Sequence, residues 1–172
     1  MKRILAFVFC LWATFQLHAQ TLKSVLTEQL KSTHTKQDWF VPVNVALEGL
    51  TSEQAIWKDG SGNHSIGQLA NHLLFWNEHQ LLKFRGEKGH PYNGDNEETF
   101  NAFNKEQWEQ TVRRLSSVLS ELEKLIQTSD DAFIRKWAET IGNISTHNAY
   151  HTGQIVFIRK QQGSWNPEKG VK

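Results

Sequence analysis

The chain has 172 residues, of which 38% are hydrophobic and 22% are charged, and 19 Lys and Arg residues against 18 Asp and Glu residues leave a formal charge of +1. This balance excludes a disordered chain, a collagen-like chain and a strongly basic nucleic-acid-binding protein, so we expect no nucleic-acid partner. Seven Trp and ten Phe residues can supply one hydrophobic core, and the length suits a single domain.

The first 19 residues have the pattern of a Sec-type export signal. Lys2 and Arg3 precede an apolar run at residues 4–13, and a more polar stretch follows as far as Ala19. The run is much shorter than the ~20 residues that cross a bilayer as a helix, so we expect no stable membrane insertion after cleavage. We predict cleavage after Ala19, a mature domain over residues 20–172, and a periplasmic or extracellular location.

Removal of residues 1–19 would leave a chain without a thiol, because the single Cys of the sequence is Cys10. Seventeen basic residues would then face eighteen acidic residues, which is a net charge of −1. A catalytic cysteine and a zinc site with Cys ligands are both excluded for such a chain. Its chemistry must come from His, Asp, Glu, Ser, Thr or Tyr side chains.

Four stretches have the apolar spacing of three and four residues that is typical of an amphipathic helix. We interpret the first as a single helix with a kink at Pro42. Its stripe consists of Leu22, Leu26, Leu30, Phe40, Val43, Leu47 and Leu50. The second begins with a capping box at Ser65 and Gln68 and ends at Gly86.

The third helix is predicted to follow Asn104, and the fourth to run from about Glu139 to Gln162. The stripe of the third consists of Trp108, Val112, Leu115, Leu119, Leu122 and Ile126. Residues 51–54 predict a short extra helical turn, and the Gly and Pro residues at 86–98 predict a loop. We expect Trp165 to fold back over the helices, since an exposed Trp is unfavourable. Four helices of this length predict an all-α bundle.

Two histidines lie near the middle of the predicted buried face of the fourth helix. His147 and His151 are four residues apart, so their rings lie on the same side of the helix, one turn apart. A buried imidazole needs a partner for each nitrogen, and one metal ion would bind both rings at once. The second helix could supply a third ligand from His72 or His79. The alternative is that these histidines are structural.

Two motifs carry a resemblance to a known family. The segment SIGQLANH at residues 65–72 resembles the start of the second helix in the DinB/YfiT-like metalloenzyme superfamily. The segment HNAYHTGQ at residues 147–154 resembles the His-x3-His-x-Gly-Gln signature of its fourth helix. With the helix order and loop lengths, the similarity extends over nearly all of residues 21–163.

The resemblance implies an up-down-down-up four-helix bundle, commonly a homodimer, with a three-His site for a divalent metal ion. It assigns the ligand positions to His72, His147 and His151, and it gives His79 no ligand role. Nickel or zinc is the expected ion, and manganese or iron would also accept imidazole ligands. Three imidazoles leave a coordination position open for water, as in metal-dependent hydrolases.

The sequence leaves three functions open for this protein, which we expect to be exported. The leading hypothesis is a metal-dependent hydrolase that acts on an unidentified small molecule, with no general base assigned. The second is a metal-binding or ligand-binding bundle without catalysis. The third is a thiol-dependent transferase, as in some relatives of the family. Thr152, which stands where the family often has Arg, and a location away from cytosolic thiols both disfavour this third hypothesis.

Other polar and aromatic residues on the helices have weaker signals. One of four polar side chains could orient a metal-bound imidazole, and we expect most of the four to be solvated: Asn71, Glu78, Asn148 and Gln154. Tyr150 lies about 100° from the histidine line, so we interpret it as a packing residue. Three tryptophans could line a pocket, but we interpret them as core residues, as large aromatic side chains in a bundle usually are: Trp39, Trp76 and Trp108.

Overall fold

The computed structural model describes residues 20–101 and 103–170, and within these ranges it contains helices and no β-strand. The helices are α1 (Leu22–His34), α2 (Val43–Leu47), α3 (Ser52–Ile56), α4 (Ile66–Phe84), α5 (Glu97–Asn101), α6 (Trp108–Thr128) and α7 (Asp131–Gln161). Two 3₁₀ turns are Lys105–Gln107 and Pro167–Lys169. The predicted export signal and Cys10 lie outside the described residues.

The four long helices form a bundle, which confirms the predicted all-α class. α1 packs against α6 and α7, and α4 packs against the same two helices. The core between them is apolar, and its most deeply buried large side chains include Leu30, Ile66, Leu73, Leu115, Leu122, Ile126, Ile134, Ile141 and Ile155. The up-down-down-up order of the helices stays a prediction.

Local sequence signals explain most of the helix ends. Thr51 and Ser65 each form a capping box with a glutamine three residues on, at the starts of α3 and α4. Gly86 follows the end of α4 with a φ of 79°, a left-handed conformation that favours glycine. These ends confirm the predicted second helix and the extra turn at residues 51–54.

The prediction of one kinked first helix is wrong. α1 ends at His34, and α2 begins only at Val43, with Pro42 as its N-cap. Proline disfavours helical backbone in the residue before it and lacks an N–H for the helical ladder, so the chain breaks rather than bends. Phe40, a member of the predicted stripe, is 37% exposed.

The predicted start of the fourth helix is also wrong, by eight residues. α7 begins at Asp131, and the side chain of Asp130 accepts a hydrogen bond from the Phe133 N–H. An aspartate N-cap satisfies a donor of the first turn, and neither Gly nor Pro interrupts residues 131–141. The earlier start buries Ile134 and places Trp137 against the core.

The tail after α7 packs onto the bundle, as predicted for Trp165. The Trp165 ring is half-buried and lies against the core, with the Arg159 guanidinium 5.3 Å from its centroid. Among the residues that the structure describes, no helix is both long and apolar enough to span a membrane.

Candidate metal centre

His72 on α4 and His147 and His151 on α7 meet where these two helices pack together. Each ring offers a nitrogen, and the three nitrogens lie within 4.8 Å of one another. His72 Nε2 and His147 Nε2 are 3.0 Å apart. Two ligands of a tetrahedral ion with bonds of about 2.1 Å are separated by about 3.4 Å, so the three rings fit a metal ion with small adjustments.

The proton positions on His72 follow from its neighbour Thr99. His72 Nδ1 lies 2.5 Å from Thr99 Oγ1, and the Thr99 hydroxyl donates its hydrogen to the Asn96 carbonyl oxygen at 2.7 Å. A hydroxyl has a single hydrogen, so Thr99 Oγ1 accepts from His72 Nδ1–H. His72 Nε2 therefore carries a lone pair and no proton, and in the absence of a metal ion it accepts from His147 Nε2 at 3.0 Å.

Gln154 places the proton of His151 in the same way. His151 Nδ1 lies 2.6 Å from Gln154 Oε1, an oxygen that can only accept, while Gln154 Nε2 donates to the Tyr150 hydroxyl at 3.3 Å. His151 Nδ1 is therefore the donor, and Nε2 keeps its lone pair. Metal-binding histidines are commonly held by such a bond from the other ring nitrogen.

Burial keeps the three imidazoles neutral. Desolvation, reinforced by the neighbouring imidazoles, lowers the pKa of His72 to about 3 and that of His147 to about 4. Burial also lowers the pKa of His151, although its hydrogen bond to Gln154 acts in the opposite direction. Because only neutral imidazole binds a metal ion, the three rings are ready to bind at neutral pH.

The three histidines line an open pocket of about 720 Å³ between α4 and α7. The described residues that line it include no Asp, Glu, Lys or Arg. Trp76 Nε1 donates to Asn96 Oδ1 at 3.2 Å, which joins one wall to the segment that follows α4. At its base Asn77 and Asn148 donate to each other at 2.8 and 3.1 Å. The pocket therefore offers uncharged hydrogen-bonding groups beside the histidines.

Comparison with known proteins identifies the family. A model of the DinB superfamily matches residues 43–155, which include the three histidines, Thr99 and Gln154. The chain belongs to the DinB superfamily. Searches of the curated proteins and of the solved structures found no match. In this DinB-superfamily chain, α1 and the tail after α7 lie outside the matched residues.

The other sequence candidates have different places in this DinB-superfamily bundle. His79 is buried outside the histidine cluster. Glu78 binds Arg114 at 2.6 and 2.8 Å and His90 at 3.0 Å. Asn148, one of the four polar side chains of which most were expected to be solvated, is 1% exposed. Asn71 Nδ2 donates to the Thr99 carbonyl oxygen and so helps to hold the residue that orients His72.

The aromatic predictions were correct only in part. Trp108 is a core residue, whereas Trp39 is 97% exposed and Trp76 forms a wall of the pocket. Tyr150 is 63% exposed, so its interpretation as a packing residue is wrong. It extends beside His151 at the pocket instead, with its ring centroid 5.0 Å from that of His151.

Sequence reasoning missed the residues that α5 brings to the site. Thr99 bonds His72, and the Phe100 ring stacks on the His72 ring at 3.9 Å. Both lie between the loop predicted at residues 86–98 and the helix predicted after Asn104, in a segment with no periodic pattern to indicate a contact. The residue types also have no special metal chemistry, so only the packing of α5 against α4 reveals them.

Replacement of Thr99 by Val should weaken metal binding by about 10- to 100-fold, the usual effect of losing a group that orients a ligand. Valine keeps the branched shape but cannot accept from His72 Nδ1–H. Thr99→Ser retains the hydroxyl and should bind nearly as tightly as the unchanged chain. Competition titration with a metallochromic chelator measures both affinities. Equal affinities for the Val and Ser variants would show that the bond does not orient His72.

Metal affinity should change by less than about tenfold between pH 7.5 and 5.5. Three imidazoles with an ordinary pKa of about 6.5 would each lose about tenfold per pH unit below that value. Here the lowered pKa values, about 3 for His72 and about 4 for His147, keep these rings neutral at pH 5.5. The same titration at several pH values measures this, and a steep loss beginning at pH 6.5 would contradict it.

Proposed function

We propose that this DinB-superfamily protein is an exported metal-dependent hydrolase, with a divalent ion held by His72, His147 and His151. The observation that carries the proposal is the set of three neutral imidazoles, two with Nε2 left unprotonated by hydrogen bonds at Nδ1, that open onto one pocket. An ion on three protein ligands supplies a Lewis acid and a bound water of lowered pKa.

The residues around the site have separate tasks in this proposal. Thr99 and Gln154 hold the rings of His72 and His151 in one tautomer, and Phe100 supports the face of His72. Trp76 and the amide side chains of the pocket bind the substrate. Because the described lining residues include no Asp, Glu, Lys or Arg and the three histidines are neutral, the pocket suits an uncharged small molecule with hydrogen-bonding groups. The general base is unassigned.

Nickel or zinc is the proposed ion, and manganese or iron are the alternatives. The all-imidazole donor set suits these metals better than magnesium or calcium, which prefer oxygen ligands. Elemental analysis of protein purified without a histidine tag should find about one ion per chain. A protein that purifies and reconstitutes with none of the four would overturn the proposed metal site.

Hydrolysis is tested with the metal-loaded chain on a panel of neutral ester, amide and phosphotriester substrates. We expect turnover of at least one substrate class, and its loss in His151→Ala and in the chelator-treated chain. Stoichiometric metal without turnover on any substrate would instead support the binding protein without catalysis. One observation favours that second function: no carboxylate that could act as a base lines the described part of the pocket.

A thiol-dependent transferase would need an added low-molecular-weight thiol as its second substrate. Thr152, at the position where an Arg is frequent in the family, is 2% exposed and donates to the Asn148 carbonyl oxygen. Consumption of added thiols by the metal-loaded chain, tested with small electrophiles, would favour the transferase over the hydrolase. We expect no consumption above the rate of the chelator-treated chain.

Export and dimer formation complete the proposal. N-terminal sequencing of the secreted protein should find Gln20 as the first residue, whereas an intact Met1 in mature material would contradict cleavage after Ala19.

Sedimentation equilibrium should give the mass of a homodimer. A monomer at all accessible concentrations would contradict the dimer that the resemblance implies.

A further inference from the structure

A second cluster of hydrogen-bonded polar side chains lies away from the metal centre, between α1, α2 and α6. His34 ends α1, and its Nδ1 lies 2.6 Å from Glu123 Oε1 on α6. Its Nε2 lies 3.2 Å from Ser116 Oγ, about two turns earlier on α6. Asn44 on α2 donates from Nδ2 to the same Ser116 oxygen at 3.3 Å. The carboxylate of Glu123, the imidazole of His34 and the hydroxyl of Ser116 are therefore linked in a continuous series of hydrogen bonds.

The hydrogen-bonding capacities of these groups define the direction of every bond. An ionised Glu123 can only accept, so His34 Nδ1 carries the proton and donates it. His34 Nε2 is then an acceptor, and the Ser116 hydroxyl donates to it. This is the proton arrangement of an activated nucleophile, its base and the carboxylate that orients the base.

Burial divides the cluster into a protected base and a more accessible hydroxyl. His34 is 3% exposed and the Glu123 side chain 17% exposed, so little water competes for the bond between them. Ser116 and Asn44 are half-buried and lie nearer the surface. A hydrogen bond shielded from water holds the imidazole in one orientation, which a base for Ser116 requires.

We propose that Ser116, His34 and Glu123 form a second reactive centre, in which Ser116 Oγ accepts acyl groups from small activated esters. Asn44 Nδ2 donates to Ser116 Oγ at 3.3 Å and so helps to hold this oxygen beside His34. The centre shares no residue with the three-histidine site and involves different helices. The proposal of a reactive serine can therefore be tested, and contradicted, without any bearing on the proposed metal-dependent hydrolase.

The acyl transfer balances without a cofactor. Ser116 Oγ bonds to the carbonyl carbon of the ester while its proton moves to His34 Nε2, and the carbonyl electron pair moves to oxygen. The tetrahedral adduct then collapses, and the alcohol leaves with the proton from His34. Water repeats the two steps on the acylated serine, releasing the carboxylic acid and restoring the hydroxyl.

The direct test treats the full chain, in the presence of EDTA, with a biotinylated fluorophosphonate that bonds to activated serines and releases HF. We expect one probe per chain at Ser116, located by peptide mapping, and loss of labelling in Ser116→Ala. Glu123→Gln should slow labelling at least about tenfold, because the oriented base is lost. Ser117→Ala is the matched control, since Ser117 is the exposed neighbour on α6.

Labelling of Ser116 no faster than that of Ser117 would overturn the proposal. A pair of cysteine variants provides a second measurement with small structural change. Ser116→Cys should react with iodoacetamide at pH 6 about 10- to 100-fold faster than Ser117→Cys, because the adjacent imidazole favours the thiolate. Equal alkylation rates would show that His34 does not activate position 116, and would also overturn the proposal.

Discussion

Replacement of His151 by Ala should abolish stoichiometric binding of a divalent ion to the purified protein. The variant retains two of the three imidazole ligands, and we expect its affinity for the metal ion to fall by more than about 100-fold. This loss exceeds the roughly 10- to 100-fold that usually follows removal of a group that only orients a ligand. Elemental analysis after dialysis against a weak chelator measures the ion content. His151 lines the open pocket, so the substitution enlarges a space already present.

Thermal unfolding provides an independent measure of the same loss. An ion present at about 100 times its dissociation constant stabilises the folded chain by about 2.7 kcal/mol, so the melting temperature of the unchanged protein should rise on metal addition. His151→Ala should melt at the same temperature with and without metal. Its cooperative melting in EDTA would show that the variant is folded.

His64→Ala is the matched control for the loss of one imidazole. The His64 ring stacks on Phe100 at 3.8 Å, on the side opposite His72, and it does not belong to the three-histidine cluster. This variant should retain one ion per chain and the metal-dependent rise in melting temperature. Unchanged ion content in His151→Ala, or equal losses in both variants, would contradict the proposed ligand set.

Replacement of Arg159 by Leu should destabilise the fold by about 3 kcal/mol, because buried carbonyl oxygens would lose their charged donor. The Arg159 guanidinium donates to the carbonyl oxygens of Ala46, Glu48 and Ser164 at 2.7 to 3.0 Å. These bonds connect α7 to the end of α2 and to the tail. Leucine retains apolar packing volume but supplies no donor.

Urea denaturation followed by circular dichroism measures this effect as a change in the free energy of unfolding. Arg135→Leu, an exposed arginine on the same helix, should change stability by no more than about 0.5 kcal/mol. If the urea unfolding curves of Arg159→Leu and of the unchanged protein had similar midpoints and slopes, the proposed stabilising role of Arg159 would be contradicted. Metal content should be unaffected, since Arg159 lies about two turns beyond His151 on α7.

The metal centre depends on packing between helices as well as on its three histidines. Thr99 and Phe100 lie on α5 and contact His72 on α4. Gln154, in contrast, lies on α7 together with His151, the ring to which it is hydrogen-bonded. The orientation of His72 is therefore sensitive to the segment between α4 and α6, and that of His151 is local to α7. Substitutions in α5 should consequently affect the ligand from α4 most.

Local signals in the sequence determined the helical class and the pair His147 and His151, whereas the choice of His72 over His79 as the third candidate ligand came from the family resemblance. The spacing of His147 and His151 on the stripe with Ile144 and Ile155 places both rings on one face of α7, whatever that face packs against. Capping at Ser65 likewise depends only on Gln68, three residues away. Such features can be predicted from the sequence because the helical period places residues three or four apart on the same face of a helix.

Only the tertiary structure decided which distant residues complete each cluster. Thr99 is 27 residues from His72, Glu123 is 89 residues from His34, and Ala46 is 113 residues from Arg159. No periodic pattern relates such pairs, because their contacts depend on how separate helices pack against one another. The exposed position of Tyr150 has the same cause: helical spacing gives the angle of a side chain, but the neighbouring helices determine whether that angle is covered.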